Sequence, residues 1–249
     1  MNTTEFLYIA TAICPDRRFI VFEGRPLSFA KFHERANRLA NALQEFDVQK
    51  GDRVGMLHVN CPQYVEAYFA AAKIGAIFVP LNFRAKSDEL AFMIENAGIR
   101  ILLTGIRYFD MIKERLPQLP SVKTCINIDV RQDENPFYED LIASAGSDEI
   151  AADIGDEDIT VLMYTAGTTG RPKGVPLRHS GFVSYVLENV EPANPEIEER
   201  NLLTVPLYHV AGMQAVLAGI YGGRTLVMMR QFEVQEWLKT AQGEKVTRA

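Results

Sequence analysis

The chain has 249 residues, of which 47% are hydrophobic, and it carries a formal net charge of -6. This length and composition suit a globular protein with a sizeable core. The acidic balance argues against broad electrostatic binding to nucleic acid or to acidic membranes, so we expect a small-molecule substrate.

Three cysteines, Cys14, Cys61 and Cys125, are widely spaced along the chain. An odd number without CxxC spacing or a Cys/His cluster predicts neither a disulfide framework nor a metal site, and a reducing cytoplasm fits best. The longest apolar stretch, residues 68–81, is interrupted by Lys73 and is shorter than the roughly 20 residues that a membrane span requires. We therefore expect no transmembrane segment.

The first half of the chain alternates between helical and strand patterns. Apolar residues recur at helical spacing opposite charged residues between 28 and 46, which indicates an amphipathic helix. Acidic residues follow Ser87, which is the predicted N-cap of a later helix. The predicted order is helix 6–14, helix 28–46, strand 53–59, helix 62–73, strand 76–80, helix 87–97 and strand 101–104.

The pattern weakens between 129 and 158, an acidic and turn-rich segment that we interpret as a surface connection. A second alternating block follows, with strand 159–164, a glycine-rich loop, a helix from about 179, strand 202–205, helix 210–221 and strand 225–229. One further helix includes Trp237 and stops at Gly243, and residues 246–247 look like the start of another strand.

This order of elements predicts an α/β fold. Repeated strand–helix–strand units imply parallel sheets flanked by helices, with right-handed crossovers and with ligand loops at the carboxyl ends of the strands. A subdomain boundary is possible at about 130–158. The pattern also leads us to expect that the 249 residues are part of a longer protein.

Residues 164–175 read Tyr-Thr-Ala-Gly-Thr-Thr-Gly-Arg-Pro-Lys-Gly-Val and follow the apolar strand directly. Glycines allow close approach of the backbone, threonines supply hydroxyl donors and Lys173 supplies a cation, which are the groups that a triphosphate needs. The Walker A pattern GxxxxGK[ST] is absent, so a P-loop NTPase is disfavoured. The segment predicts ATP binding through Thr165, Ala166, Gly167, Thr168, Thr169, Gly170 and Lys173.

The same segment resembles the phosphate-loop signature YTSGTTGxPKGV of the AMP-forming acyl-CoA synthetases. Their superfamily of adenylate-forming enzymes also includes luciferases and the adenylation domains of peptide synthetases. Ala166 stands where the signature usually has Ser. The missing hydroxyl could remove one hydrogen bond, worth on the order of 0.5 to 1.5 kcal/mol. We therefore expect weakened nucleotide binding, not its loss.

A second stretch, Pro206-Leu207-Tyr208-His209-Val210-Ala211-Gly212, resembles the acyl-pocket motif of that family. The resemblance implies that Tyr208, His209 and Gly212 belong to the acyl-substrate pocket. Amino-acid-activating relatives typically have Phe-Asp at these positions, and the Asp pairs with the substrate amine. Tyr208-His209 therefore favours a carboxylic acid without an amino group.

Two further segments, residues 51–54 and 79–84, also resemble the family, so the match extends over essentially the whole chain. Within the second segment, Arg84 is a candidate contact for the CoA nucleotide, although a surface arginine is the commoner interpretation. The remaining histidines, His33, His58 and His179, have no motif around them and are interpreted as surface or packing residues.

The resemblance implies a two-step reaction. The acid attacks the α-phosphate of ATP to give acyl-AMP and pyrophosphate, and the thiol of CoA then attacks the acyl carbon. Mg²⁺ would neutralise phosphate charge while the 165–174 loop orients the departing phosphates. The chain is then the N-terminal part, residues 1–249, of the large AMP-binding domain. The family's catalytic lysine is expected beyond Ala249, so we assign no catalytic residue and no metal ligand here.

Two other interpretations remain open. One is an adenylate-forming enzyme with a non-CoA acceptor, such as a luciferase-like or carrier-protein-loading enzyme. The other is a nonenzymatic nucleotide-binding fragment that keeps the fold without the chemistry. The sequence also leaves open which acid is used and whether the protein forms a homo-oligomer.

Overall fold

The computed structural model of the chain describes residues 1–165 and 171–249. Within them the structure has nine α-helices and one short 3₁₀ turn at Leu116–Gln118. The helices are α1 (Thr4–Ile13), α2 (Phe29–Glu45), α3 (Pro62–Lys73), α4 (Ser87–Ala97), α5 (Ile106–Ile112), α6 (Tyr138–Ser144), α7 (His179–Asn189), α8 (Val210–Tyr221) and α9 (Val234–Gly243).

Ten strands occur in the same described residues and form two sheets. They are β1 (Arg18–Phe22), β2 (Arg25–Ser28), β3 (Arg53–Leu57), β4 (Ile77–Pro80), β5 (Ile99–Thr104), β6 (Thr124–Asn127), β7 (Ile159–Thr165), β8 (Lys173–Arg178), β9 (Arg200–Leu203) and β10 (Thr225–Met228). One sheet has six strands in the order β6-β5-β3-β4-β7-β8, and the other has four in the order β2-β1-β10-β9.

The six-stranded sheet is parallel except at one edge, where β8 runs antiparallel to β7. Its inner strands are apolar on both faces, as expected for a parallel sheet covered by helices on each side. Because β3, β4 and β7 run parallel, their carboxyl ends lie along one edge of the sheet. That edge is where the fold rules place ligand loops.

The four-stranded sheet joins the start of the chain to its end. Strand β1 pairs in parallel with β10, about 200 residues later in the sequence, and in an antiparallel hairpin with β2. The hairpin turn is Glu23-Gly24, and both residues have positive φ, 50° and 74°. This is the backbone conformation of a type I′ turn, which glycine adopts without strain.

The helices and sheets stack in five layers. The main core lies between the two sheets and includes buried residues of α1, α2, α3 and α8. Helix α3 is buried almost all round because it packs against the six-stranded sheet on one side and against α1 and α2 on the other. A second core packs α4 and α5 on the outer face of the six-stranded sheet, and a small third core packs α9 on the outer face of the four-stranded sheet.

The α/β fold class predicted from the sequence is confirmed, with one correction. The sheets are mixed, because the hairpin β1–β2 and the edge strand β8 run antiparallel to their neighbours. The sequence prediction missed the strands β1, β2, β6 and β8 and the helix α5. It also assigned residues 129–158 to a connection, whereas the structure has helix α6 there. The subdomain boundary at about 130–158 stays a prediction.

Two local predictions were also tested. Helix α4 begins at Ser87, but its N-cap is Lys86, whose backbone N–H donates to a carboxylate oxygen of Glu89 at 2.9 Å. At the end of the chain the predicted residues 246–247 are not in a strand, and the next residue, Arg248, forms a single parallel bridge with Asn201 of β9. In the described residues, no helix is long and apolar enough to cross a membrane.

Candidate functional site

Two of the predicted phosphate-binding residues lie at the base of a hairpin. Thr165 is the last residue of β7, Lys173 is the first of β8, and the two are paired across the antiparallel ladder. Both side chains are exposed, and the Thr165 hydroxyl donates to the Lys173 carbonyl oxygen at 3.5 Å. The other predicted residues, Ala166, Gly167, Thr168, Thr169 and Gly170, lie outside the described residues. The fold thus places both ends of the predicted loop at the carboxyl end of β7.

Tyr164 fixes the end of β7 to helix α4. Its hydroxyl donates to the side-chain oxygen of Asn96 at 2.7 Å, and burial raises the pKa of this tyrosine. On the other side of the loop, the guanidinium carbon of Arg171 lies 5.5 Å from the ring centre of Phe92, which is also in α4. Helix α4 therefore contacts the chain on both sides of residues 166–170.

Tyr208 and His209 lie between β9 and α8. His209 is the N-cap residue of α8 and has an exposed side chain, whereas Tyr208 is 7% exposed. The two rings are 4.3 Å apart, centre to centre. The backbone N–H of His209 donates to the carbonyl of Pro206 at 3.0 Å. This turn directs the imidazole to the surface at the carboxyl end of β9.

Gly212 lies in the first turn of α8 and is buried against the preceding segment. A Cβ atom at this position would lie 2.6 Å from the Pro206 carbonyl oxygen and 3.1 Å from the Cα of Leu207. Real Cβ atoms do not approach a backbone oxygen this closely, so only glycine lets α8 pack on the 206–207 segment. The predicted pocket glycine therefore sets the distance between α8 and the Tyr208-His209 segment.

Asn60 was missed by the sequence analysis, although it holds the same segment from the other side. It lies three residues beyond β3 and is 1% exposed. Its side-chain N–H donates to the Val205 carbonyl at 3.0 Å, and its side-chain oxygen accepts from the Leu207 backbone N–H at 2.9 Å. We call these two hydrogen bonds the Asn60 bridge.

The rings of Phe83 and Tyr208 connect the Tyr208-His209 segment to the six-stranded sheet. They meet edge to face, with centres 5.4 Å apart. The guanidinium carbon of Arg84, the candidate CoA contact, lies 5.5 Å from the ring centre of Phe83, and its side chain is exposed. Because Phe83 follows β4 and β4 pairs with β7, these residues share a sheet edge with Thr165. The fold thus brings the two motifs to one side of the molecule.

His58 lies at the same edge and is buried, so the structure selects the packing role among the two that the sequence allowed. It is 6% exposed, its Nε2 lies 3.7 Å from the Asp129 carboxylate, and burial lowers the pKa of the imidazole. A Cβ atom at Gly105 would lie 2.5 Å from the His58 ring, so this glycine makes room for the histidine. In the described part of the chain, no group of three or more His, Cys, Asp or Glu side chains could hold a metal ion.

The family model named AMP-binding enzyme matches residues 9–249, which include both motifs and the sheet edge that joins them. The chain belongs to the AMP-binding enzyme family. The resemblance drawn from residues 164–175 and 206–212 is thereby confirmed.

Relatives within the AMP-binding enzyme family are longer than this chain. Long-chain-fatty-acid–CoA ligase FadD13 of Mycobacterium tuberculosis is 31% identical over 210 residues, which cover 83% of the chain and 40% of the relative. Feruloyl-CoA synthase of an Amycolatopsis species is 32% identical over 229 residues, which cover 90% of the chain and 43% of the relative. The chain therefore spans less than half the length of these two relatives.

The solved structures agree with this placement. The inhibitor-bound N-terminal domain of FACL13 from Mycobacterium tuberculosis matches with a TM-score of 0.87 at 28% identity. The match covers 98% of this chain and 61% of that structure. The two sheets described above are thus the fold of the N-terminal domain of an adenylate-forming enzyme.

Proposed function

We propose that this chain contributes the N-terminal part of an enzyme that activates a carboxylic acid with ATP and transfers the acyl group to CoA. The observation that carries the proposal is the family match over residues 9–249 together with the shared edge on which the fold places the two motifs. The names of the relatives, a long-chain-fatty-acid–CoA ligase and a feruloyl-CoA synthase, support an acid without an amino group. A fatty or related acid is therefore our proposed substrate.

The proposed first step joins the acid carboxylate to the α-phosphate of ATP and releases pyrophosphate. The ammonium of Lys173 and the hydroxyl of Thr165 stand at the two ends of the loop, where they can bind the departing phosphates. Residues 166–170 lie outside the described part, and we retain the prediction that they bind the phosphates. The acyl-AMP so formed carries a good leaving group, and no enzyme nucleophile is needed.

In the proposed second step, the CoA thiolate attacks the acyl carbon and AMP leaves. Arg84 is exposed at the rim beside Phe83, where its charge can meet a phosphate of the CoA nucleotide. Tyr208, His209 and Gly212 form the acyl-side wall in this proposal. Mg²⁺ would neutralise the charge of the ATP phosphates, but the described residues offer no cluster of ligands for it, so we assign it none. We place the enzyme in the cytoplasm.

The test is acid-dependent exchange of labelled pyrophosphate into ATP by the full-length protein. We expect exchange with fatty or aromatic acids, and acyl-CoA formation when CoA is added. We expect little exchange from residues 1–249 alone. Exchange followed by loading of a pantetheinylated carrier instead of CoA would favour the non-CoA acceptor. ATP binding without any acid-dependent exchange would contradict the enzymatic proposal.

A pair of lysine variants sharpens this test. Lys173→Ala removes the charge beside the phosphates and should raise the KM for ATP about tenfold, equivalent to ~1.4 kcal/mol. The matched control is Lys123→Ala. Lys123 is a surface lysine whose ammonium, within the described residues, donates only to the carbonyl of Pro120. An equal effect of the two variants on the KM for ATP would contradict the proposal that Lys173 binds the nucleotide.

A further inference from the structure

Asn60 lies outside both sequence motifs, yet it is buried and its side chain makes two specific hydrogen bonds. It is buried at 1% exposure at the carboxyl edge of the six-stranded sheet, just before the N-cap residue of α3. A buried side-chain amide costs free energy unless its donor and acceptor are both satisfied. Both are satisfied by one short segment of backbone, the Val205–Leu207 stretch.

The Asn60 bridge works like one rung of a sheet ladder. Its N–H donates to the Val205 carbonyl at 3.0 Å and its oxygen accepts from the Leu207 N–H at 2.9 Å, so two backbone groups two residues apart are fixed at once. The partners are 145 and 147 residues away in sequence. The bridge therefore ties the carboxyl end of β3, in one sheet, to the chain that leaves β9, in the other.

The position of His209 follows from this tie. Leu207 is held by Asn60, and Tyr208 and His209 are the next two residues of the chain. The His209 N–H and carbonyl are both engaged, with Pro206 and with the Gly212 N–H at 3.0 Å each. Because Gly212 lets α8 pack directly on the backbone at 206–207, a displacement of Leu207 is passed on to the start of α8. The position of the imidazole therefore depends on these backbone contacts.

We propose that Asn60 is a positioning residue for the acyl-substrate wall, which fixes Val205–Leu207 and thereby sets where Tyr208 and His209 stand. The predicted effect of Asn60 on the KM for the acid rests on the proposed function. The structural half of the inference, that Asn60 orders the 204–210 segment, stands independently of any activity. Asn60 acts through its neighbours and needs no contact with the acid, ATP or CoA.

The kinetic experiment uses the full-length protein with palmitate, octanoate and ferulate as acids in the pyrophosphate exchange assay. Asn60→Ala should raise the KM for the acid about tenfold and leave the KM for ATP within about twofold, since the phosphate loop is held by other contacts. In a His209→Ala background the same substitution should raise the acid KM by no more than about twofold. Such non-additivity distinguishes a residue that acts through His209 from one that only supports the fold.

The matched control is Asn37→Ala. Asn37 is another buried asparagine, 6% exposed, whose side chain donates to the carbonyl of Ser147 and to Glu149, far from the segment in sequence. It should leave both KM values within about twofold. If Asn60→Ala does not fold, Asn60→Asp has nearly the same volume and still removes the N–H that Val205 accepts. It should shift the acid KM in the same direction.

Hydrogen exchange of the full-length protein without substrates supplies the second measurement. The peptide covering 204–210 should exchange faster in Asn60→Ala than in the parent or in Asn37→Ala. Unchanged hydrogen exchange of this peptide would overturn the inference. Faster hydrogen exchange would also overturn it if the KM for the acid is unchanged, or if the effects of Asn60→Ala and His209→Ala on that KM are fully additive. If the parent protein shows no acid-dependent reaction, the proposed function fails, while the exchange of this peptide still decides whether Asn60 orders the segment.

Discussion

Polar groups at the sheet edge and polar groups between the helices are held in different ways. At the edge, His209, Arg84 and Lys173 have exposed side chains, and it is their backbone or a neighbouring ring that is fixed. Between the helices, Glu66 is fully buried and both its carboxylate oxygens are hydrogen-bonded, while His179 is 1% exposed and its Nδ1 is hydrogen-bonded to Thr3. The difference indicates that the exposed groups at the edge are available for ligands, whereas the buried groups join elements of the fold.

The buried group around Lys73 illustrates the second kind. Lys73 is 2% exposed, and its ammonium lies 3.0 Å from a Glu149 carboxylate oxygen. Burial lowers the pKa of Lys73, and the attraction of Glu149 offsets part of that effect. Burial alone would raise the pKa of Glu149, but hydrogen bonds from Tyr8 and Asn37 and the charge of Lys73 lower it to about 2. The Glu149 carboxylate thus stays ionised at neutral pH, 3.0 Å from the side-chain nitrogen of Lys73.

Removing one partner of a buried ion pair should have the largest effect on stability. Arg35 binds Glu66 at 2.7 Å and Glu139 at 2.8 Å, and it joins α2 to α3 and α6. Arg35→Met leaves the Glu66 carboxylate buried without its counter-charge, and we expect the free energy of unfolding to fall by about 3–5 kcal/mol. Urea denaturation measures the change.

The control for Arg35 is an exposed pair of the same kind. Lys113 and Asp110 are 2.8 Å apart with about half of each side chain exposed. Lys113→Met should cost far less stability than Arg35→Met, because water screens the pair and solvates the remaining carboxylate. Equal losses in the two variants would contradict the distinction between buried and exposed pairs.

Adding one methyl group at the edge should have the next effect. Gly212→Ala places a Cβ against the Pro206 carbonyl oxygen, so α8 or the segment has to move, at a cost of about 1–3 kcal/mol. The acid KM should rise together with the loss of stability, since Tyr208 and His209 lie between the two displaced parts. Thermal unfolding and the exchange assay measure the two effects.

A second glycine provides the comparison. Gly181 lies in α7, and a Cβ there would meet no atom within 4 Å. Gly181→Ala should therefore be neutral or should stabilise the protein by up to ~1 kcal/mol, because alanine loses less backbone entropy in a helix. If Gly181→Ala lost as much stability as Gly212→Ala, the loss at Gly212 would come from replacing a helical glycine in general and not from the close contact with Pro206.

The third effect appears only in acid. The Nδ1 atom of His179 accepts from the Thr3 backbone N–H at 3.2 Å, so the buried ring is neutral, and burial lowers the pKa of His179 to about 4. An unfolded histidine has a pKa of about 6.5, so the unfolded chain binds an extra proton between about pH 6.5 and 4. Stability should therefore fall as the pH falls through this window.

The expected loss from His179 is about 2 kcal/mol between pH 7 and pH 5. His179→Gln removes the titrating ring and should flatten that part of the stability profile, as measured by urea unfolding at each pH. Unchanged pH dependence in the variant would assign the acid sensitivity to other groups. The carboxylate of Glu149 should add its own loss only lower, as the pH falls from about 4.5 towards 2.

Local patterns predicted most of the elements and the family. Helix α2 follows from its apolar spacing, and Ser28 caps it by accepting from the Lys31 N–H. Helices α3 and α8 occupy the predicted positions. Strand length does not explain the missed strands, because the predicted strands β4, β9 and β10 have only four residues each. The β1–β2 turn is Glu-Gly, not Asn-Gly or Asp-Gly, and β8 is an exposed edge strand without apolar alternation.

The candidate site divides in the same way. The order of residues in 164–175 and 206–212 was enough to predict a nucleotide loop, a substrate segment and the family, because these motifs are contiguous. No pattern in the sequence pointed to Asn60, whose partners lie 145 and 147 residues away. For the close packing of Gly212 the sequence contained one general indication, because a glycine inside a helical pattern often marks a close contact.

The sequence by itself determined most of the elements, the two motifs and the family to which the chain belongs. The tertiary structure decided that the residues proposed for the site lie near the carboxyl ends of β4, β7 and β9, and which histidines are exposed or buried. Hydrogen bonds such as the Asn60 bridge and contacts such as Gly212 on Pro206 depend on distances between residues remote in the chain. Only the packing of two sheets around shared helices sets those distances.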